Sequence, residues 1–210
     1  MARELKDMYT VARRAIDRAY EGQPISAPED IASLLEAPLF SEVSALMIAA
    51  ARNLSHQACN GKAEVHAQIS VNFGPCPRQC LFCAFAECNE VFKESTELPM
   101  KYVVEQCQQF ESDGANAIYL MATGVFPFDR FLPYGAAARE ALAPDTLLIA
   151  NVGDFDTDGV KALRDAGFGG VYHAVRLGEG EVTRIPVERR LKTFAAAREA
   201  GLSFGTCLEP

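Results

Sequence analysis

The sequence predicts an α/β fold: a partial barrel of alternating strands and helices behind an amino-terminal helical extension. Three observations carry the prediction. Apolar residues recur at helical spacing through the first third of the chain, the period switches to two at Val65, and strands and helices then alternate to the carboxyl terminus. Strands separated by helices pair in parallel through right-handed crossovers. Neither Gly-x-Gly-x-x-Gly nor Gly-x4-Gly-Lys-Ser/Thr occurs, which favours a barrel over a doubly wound nucleotide-binding sheet.

The first helix carries Leu5, Met8, Tyr9, Ala12, Ile16, Ala19 and Tyr20 on one face and ends near Gly22. Ser26, followed by Pro28 and Glu29, has the form of a helix start, with a hydroxyl to cap free amides and a carboxylate in the first turn. A third helix carries Phe40, Val43, Met47, Ala50, Ala51 and Leu54, and the turn Asn60-Gly61 closes the segment. We therefore expect residues 1–62 to form a helical extension packing on a core of residues 63–210.

In that core Val65, Ala67, Ile69, Val71 and Phe73 alternate with His66, Gln68, Ser70 and Asn72, the pattern of a strand with one polar row facing a lumen. A helix follows with Met100, Val103, Val104, Cys107 and Phe110 on one side, ending at Gly114, and Ala117 to Thr123 reads as the second strand. Further strands fall near Leu147 to Val152, Gly170 to Arg176 and Ser203 to Leu208, separated by helices near Phe131 to Leu142, Asp158 to Ala166 and Val187 to Ala200. An eight-unit barrel takes about 250 residues. The 210 here are expected to stop after about the fifth strand, so that the chain is truncated or a partner completes it.

Composition narrows the functional classes. With 20 Lys plus Arg against 28 Asp plus Glu, the net charge of -8 argues against nonspecific binding to nucleic acid and leaves small-molecule partners. No apolar run reaches the roughly 18 residues of a membrane span, and the acidic amino terminus is not a signal peptide. A cytoplasmic protein is expected. Its seven Cys, an odd count without a leader, suit thiols kept reduced for metal or redox chemistry better than a disulfide scaffold.

Three of these cysteines lie together in Phe73-Gly-Pro-Cys76-Pro-Arg-Gln-Cys80-Leu-Phe82-Cys83, on a loop between the first core strand and its helix. Thiolates are soft ligands for iron-sulfur clusters or zinc. Structural zinc wants four ligands, commonly as two separated Cys-x2-Cys pairs, and neither a second pair nor His-x3-His is present. A thioredoxin-like use of Cys80-x2-Cys83 would leave Cys76 without a place.

Cys76-x3-Cys80-x2-Cys83, with an aromatic residue before the last Cys and a position after the first barrel strand, resembles the radical S-adenosylmethionine (radical SAM) superfamily. The resemblance implies a TIM-type barrel of the radical SAM kind. It also implies a [4Fe-4S] cluster on Cys76, Cys80 and Cys83, whose fourth iron takes the amino and carboxylate groups of SAM. Reductive cleavage of SAM then gives a 5'-deoxyadenosyl radical that abstracts hydrogen from a small-molecule substrate, with a reduced flavodoxin or ferredoxin as electron donor.

The resemblance is strongest to the branch holding biotin synthase, the hydrogenase maturase HydE and methylornithine synthase (PylB). There the match of Glu188-Arg189-Arg190-Leu191-Lys192-Thr193 implies that Arg190 grips the SAM carboxylate. Such a pairing is bidentate, and a helix start after a barrel strand sits on the active face. Glu179 resembles the Glu that binds the SAM amino group, against the plain reading of a loop carboxylate. Gly124, in Met121-Ala-Thr-Gly124, stands where the superfamily has a Gly-Gly-Glu-like segment, and either admits SAM to the backbone or serves a turn. Phe82 is expected beside the adenine.

Two of the three Cys that hold the second cluster of biotin synthase are missing from the matching strands, so the chemistry expected is HydE-like or PylB-like rather than sulfur insertion. A non-catalytic iron-sulfur or zinc module for electron transfer or assembly is the alternative. Cys107 reads as core and Cys59 has no visible partner. Cys88, also matched in methylornithine synthase, reads more readily as packed than as a cavity residue. Cys207 divides between packing and substrate. His66, Asn72, Asn151, His173 and Arg176 sit where they could touch substrate, and Phe126 and Phe128 read as loop packing.

Overall fold

The computed structural model describes residues 2–206, so Cys207 lies outside the described residues. The chain divides into two compact units, Met1–Ala63 and Glu64–Pro210. In the first, α1 (Ala2–Tyr20), α2 (Pro28–Leu35) and α3 (Glu42–Ala58) bury Ala12, Ala15, Ile16, Val43 and Ala50. Arg14 of α1 pairs with the buried Asp30 of α2.

Two starts differ from expectation. Ala27, not Ser26, precedes the first turn of α2, where Pro28 already supplies the preset φ and Ser26 makes no capping bond. Ser41 caps α3, accepting from Ser44 N at 3.3 Å, while Phe40 lies one residue before the cap and is fully exposed. The turn at Asn60 and Gly61 has both residues at positive φ, 49° and 72°.

The second unit contains β1 (His66–Ser70), β2 (Asn72–Phe73), β3 (Thr96–Glu97), α4 (Met100–Ser112), β4 (Ala117–Met121) and α5 (Phe128–Ala141). β5 (Leu147–Asn151), α6 (Thr157–Asp165), β6 (Gly170–Tyr172), α7 (Val187–Glu199) and β7 (Ser203–Gly205) follow. Strands β1, β4, β5, β6 and β7 form one parallel sheet in that order, an arc of a barrel. Ile118 and Leu120 of β4 pair in register with Leu148 and Ala150 of β5. These side chains and Val171 of β6 face Val103, Cys107, Phe131, Val160, Leu163, Ala196 and Ala197 in one core. Cys107 is core as expected, its thiol pushed up to about 11 by burial.

The nine-residue alternation from Val65 does not form one strand. Val65 is half exposed, and β1 ends at Ser70. Val71 is buried and donates to Met121 O at 2.7 Å, and the chain then peels away so that Asn72 and Phe73 pair antiparallel with β3. Gly74, at φ 146°, allows the turn, because a Cβ there would lie 2.6 Å from the Ser95 Cα. Periodicity could not see this break, since the pattern of polar and apolar residues continues through it.

Candidate functional site

The register that builds the sheet also builds the site. Ser70, Met121 and Asn151 are neighbours across β1, β4 and β5, and with Tyr172 they line a cavity of about 200 Å³ at the carboxyl ends of the strands. Of the polar row predicted on β1, His66 and Gln68 are exposed and Ser70 reaches this cavity. Asn72 does not join the row. It is buried, donates Nδ2 to Thr123 Oγ1 at 3.0 Å and accepts from Thr123 N at 2.9 Å, which fixes the loop after β4.

The loop of residues 74–90 closes over this cavity by its own hydrogen bonds. Cys76 N donates to Phe85 O at 2.6 Å, Cys83 N to Cys80 O at 2.9 Å and Ala86 N to Cys83 O at 3.0 Å. Asn89 latches the turn by donating Nδ2 to Cys83 O at 2.8 Å and Leu81 O at 3.1 Å, a role its sequence position did not announce. The loop after β6 clasps it from the other side, through Leu81 N to Val182 O at 3.1 Å and Arg184 N to Arg78 O at 2.7 Å. Cys76 is buried, Cys80 and Cys83 are half-buried, and all three line the cavity, as does Phe82. Cys88 and Cys59 are exposed.

Burial pushes the Cys80 thiol up, with neighbouring Cys83 adding to it and Arg176 opposing. A bound metal centre reverses that preference by holding the thiolate. No set of three or more His, Cys, Asp or Glu among the described residues is grouped closely enough for a single metal ion. The three thiols share the wall of one cavity.

The same cavity borders a buried charge network. His173, at the end of β6, lies 3.1 Å by its Nε2 from Asp154 Oδ1, with side chains 3% and 6% exposed. Arg190 Nη1 reaches the same carboxylate oxygen at 3.3 Å, and Arg189 Nε reaches Oδ2 at 3.3 Å. Burial works to raise the Asp154 carboxyl, but the hydrogen bond with His173 and the charges of Arg190, His173 and Arg189 outweigh it and hold the group below its ordinary value. His173 is lowered, by burial first, against the pull of Asp154. Asp154 was not singled out in the sequence. Its only signal is its place just past β5, after Gly153, whose Cβ would stand 2.8 Å from Gly124 O.

Arg190 lines the cavity, and its buried Nε makes no hydrogen bond among the described residues, standing 3.8 Å from Glu179 Oε2. Glu179 lies behind that wall with its side chain fully buried. It accepts from Thr183 Oγ1 at 2.5 Å and Arg176 N at 3.2 Å. Arg176 lines the cavity with its guanidinium 5.2 Å from the Phe82 ring centre. Gly124 lines it too, and a Cβ there would meet only Arg78 Cγ at 3.5 Å, so the position is open on the cavity side. The structure thus brings Cys76, Cys80, Cys83, Phe82, Gly124, Asn151, His173, Arg176 and Arg190 to one cavity, and leaves His66, Asn72, Cys59, Cys88 and Cys107 outside its walls. A larger groove of about 560 Å³ beside the first turns of α6 and α7 is lined by none of the described cysteines.

No family model matches the chain. It is 25% identical over 203 residues to biotin synthase of Mycobacterium avium (strain 104), covering 94% of this chain and 57% of that relative. The fold is similar to that of HydG, described as a maturase of the [FeFe]-hydrogenase, with TM-score 0.78, 19% identity and coverage of 98% of this chain and 48% of that one. It is similar also to methylornithine synthase (PylB), with TM-score 0.76, 18% identity and coverage of 92% and 58%. The chain therefore spans about half the length of these relatives. Its five-stranded parallel arc is a partial barrel of their type, and the chain is similar in sequence to biotin synthase and in fold to HydG and PylB.

Proposed function

We propose that this chain is the cofactor-binding part of a radical SAM enzyme acting on a small molecule. The observation that carries the reading is a single cavity lined by Cys76, Cys80, Cys83 and Arg190 together. The residues fit both cofactors. Three thiols on one self-bonded loop suit a [4Fe-4S] cluster with one iron left open, and a buried guanidinium whose Nε lacks a hydrogen bond among the described residues suits the SAM carboxylate. When bound, cluster and SAM supply the reductive cleavage that yields the 5'-deoxyadenosyl radical and the abstraction of substrate hydrogen.

The chain's own residues bind and orient. Asp154 and Glu179 hold Arg190 at the cavity wall, Phe82 offers a half-exposed ring for the adenine, and Gly124 leaves room for it. Glu179 is assigned to the SAM amino group by resemblance. Since its carboxylate now lies behind the wall, the assignment requires it to turn away from Thr183. His173, beside Asp154, together with Asn151 and Arg176, is among the polar groups that line the cavity to meet substrate. The carboxyl ends of β4 and β5 carry no Cys among the described residues, which supports HydE-like or PylB-like chemistry over sulfur insertion of the biotin type. A reduced flavodoxin or ferredoxin is the donor this chemistry calls for.

The test is anaerobic reconstitution. We expect about four irons per chain and, with dithionite and SAM, 5'-deoxyadenosine detected by chromatography. Iron-free, zinc-loaded protein overturns the reading. The chain's span of about half its relatives motivates one alternative, a cluster-holding module without catalysis. Calorimetric titration with SAM separates the two, because such a module has no use for Arg190.

A further inference from the structure

The first charged residue after β6 has no part in the motif that marks the cluster loop, yet it lies against that loop. Arg176 places its guanidinium 5.2 Å from the centre of the Phe82 ring, and Phe82 is the residue before Cys83. It lines the cavity with Cys76, Cys80 and Cys83, and its side chain is only 18% exposed. Behind it, Glu179 Oε2 lies 3.6 Å from Arg176 Nη1 and 3.8 Å from Arg190 Nε, with no exposed side-chain surface. Charges withdrawn from water in this way are weakly screened, and their fields reach the cavity.

We propose that Arg176 and Glu179 form a charge pair that sets the reduction potential of the iron-sulfur cluster, Arg176 raising it and Glu179 offsetting part of that rise. The inference rests on the cluster reading given above. Its physical basis is that reduction adds negative charge to the cluster. A fixed cation beside the ligand loop favours the reduced state, and a buried carboxylate opposes it. The stacking on Phe82 keeps the guanidinium at the loop instead of in solvent.

The experiment is a redox titration of the reconstituted full chain without SAM, followed by electron paramagnetic resonance, with iron counted in each sample. Arg176→Gln is expected to lower the potential, giving a severalfold smaller reduced fraction at a fixed poise. Glu179→Gln is expected to raise it. Arg176→Lys, which keeps the charge, should stay near the parent value, and Arg198→Gln, a charge removed from the last turn of α7, should leave it unchanged. Opposite shifts from the first two are a sign pattern that general loosening of the loop does not produce. Unchanged potentials, or shifts in the same direction, in variants that hold the parent amount of iron overturn the proposal while leaving the cluster reading intact. A parent protein that takes up no four-iron cluster overturns the cluster reading itself and the proposal with it. If Arg176→Gln loads no iron, Glu179→Gln and Arg176→Lys decide the matter by the same signs.

Discussion

A half-buried thiol beside a second thiol resists ionisation, and Cys80 is held in that state by its burial and by Cys83. Bound positive charge at the loop favours the thiolate form of Cys80. Replacing Cys80 with Ala should reduce bound iron from about four per chain to below about one, read by colorimetric iron assay and loss of the charge-transfer absorbance near the visible region. Arg190 makes a second claim at this scale. Removing a charge-assisted, partly bidentate partner costs about 1.5 to 3 kcal/mol. Arg190→Gln should accordingly weaken SAM binding by roughly ten- to hundredfold in a calorimetric titration, with iron content unchanged. The motif cysteines were legible from spacing alone. Asn89 and Asp154 were not, since one acts through backbone carbonyls of the ligand loop and the other through partners 19 to 36 positions away in the chain.

Among the elements, α5 shows how tightly the helical layer is fitted to the sheet. Phe131 stacks on Phe168 with ring centres 5.4 Å apart and planes 14° from parallel. One turn along, Gly135 leaves space for that second ring, and a Cβ there would come within 2.1 Å of Phe168 Cε2. Gly135→Ala is therefore expected to destabilise the fold by about 1 to 3 kcal/mol, seen as a lower urea midpoint at unchanged slope. The helices and strands themselves were well marked by period, because each buries one face: Ile118, Leu120, Leu148 and Ala150 alternate toward the helices, while Tyr119, Met121 and Asn151 turn the other way. What period missed was the split of the first strand. Val71 is as buried as its pattern requires, but Asn72 and Phe73 leave the sheet for a two-residue pairing with β3 that lies more than twenty residues away.

Across the whole second unit, the buried network around Asp154 ties the ends of β5 and β6 to the start of α7. Its two titrating members respond to acid in sequence. His173 is lowered in the fold by burial, so the unfolded chain binds its proton first. The stability it protects is complete above the ordinary imidazole value of about 6.5 and is lost as pH falls from there toward the lowered folded value. Asp154, held below its ordinary 3.8, contributes stability that persists above that value and disappears as pH falls through its folded pKa. Thermal melts from pH 8 to 5 should therefore show a falling midpoint below about pH 6.5, and His173→Gln should flatten that slope. Asp154→Asn strands Arg190 and Arg189 beside a neutral amide and should cost about 3 to 5 kcal/mol at neutral pH, as broken buried pairs do. No helix among the described residues is long and apolar enough to cross a membrane.

Sequence alone determined the class of fold and marked out the three motif cysteines. The thiol spacing is local, so eight consecutive residues carry it, and alternation of strand and helix follows from periods that each element imposes on its own side chains. The tertiary structure decided what lies near the thiols. Arg190, His173, Asp154, Glu179 and Arg176 meet because parallel register brings the carboxyl ends of successive strands side by side, and because the loop after β6 hydrogen-bonds to the cysteine loop. Those contacts join positions more than a hundred residues apart. Burial and mutual charge, which no single stretch of sequence encodes, then set the ionisation of each group.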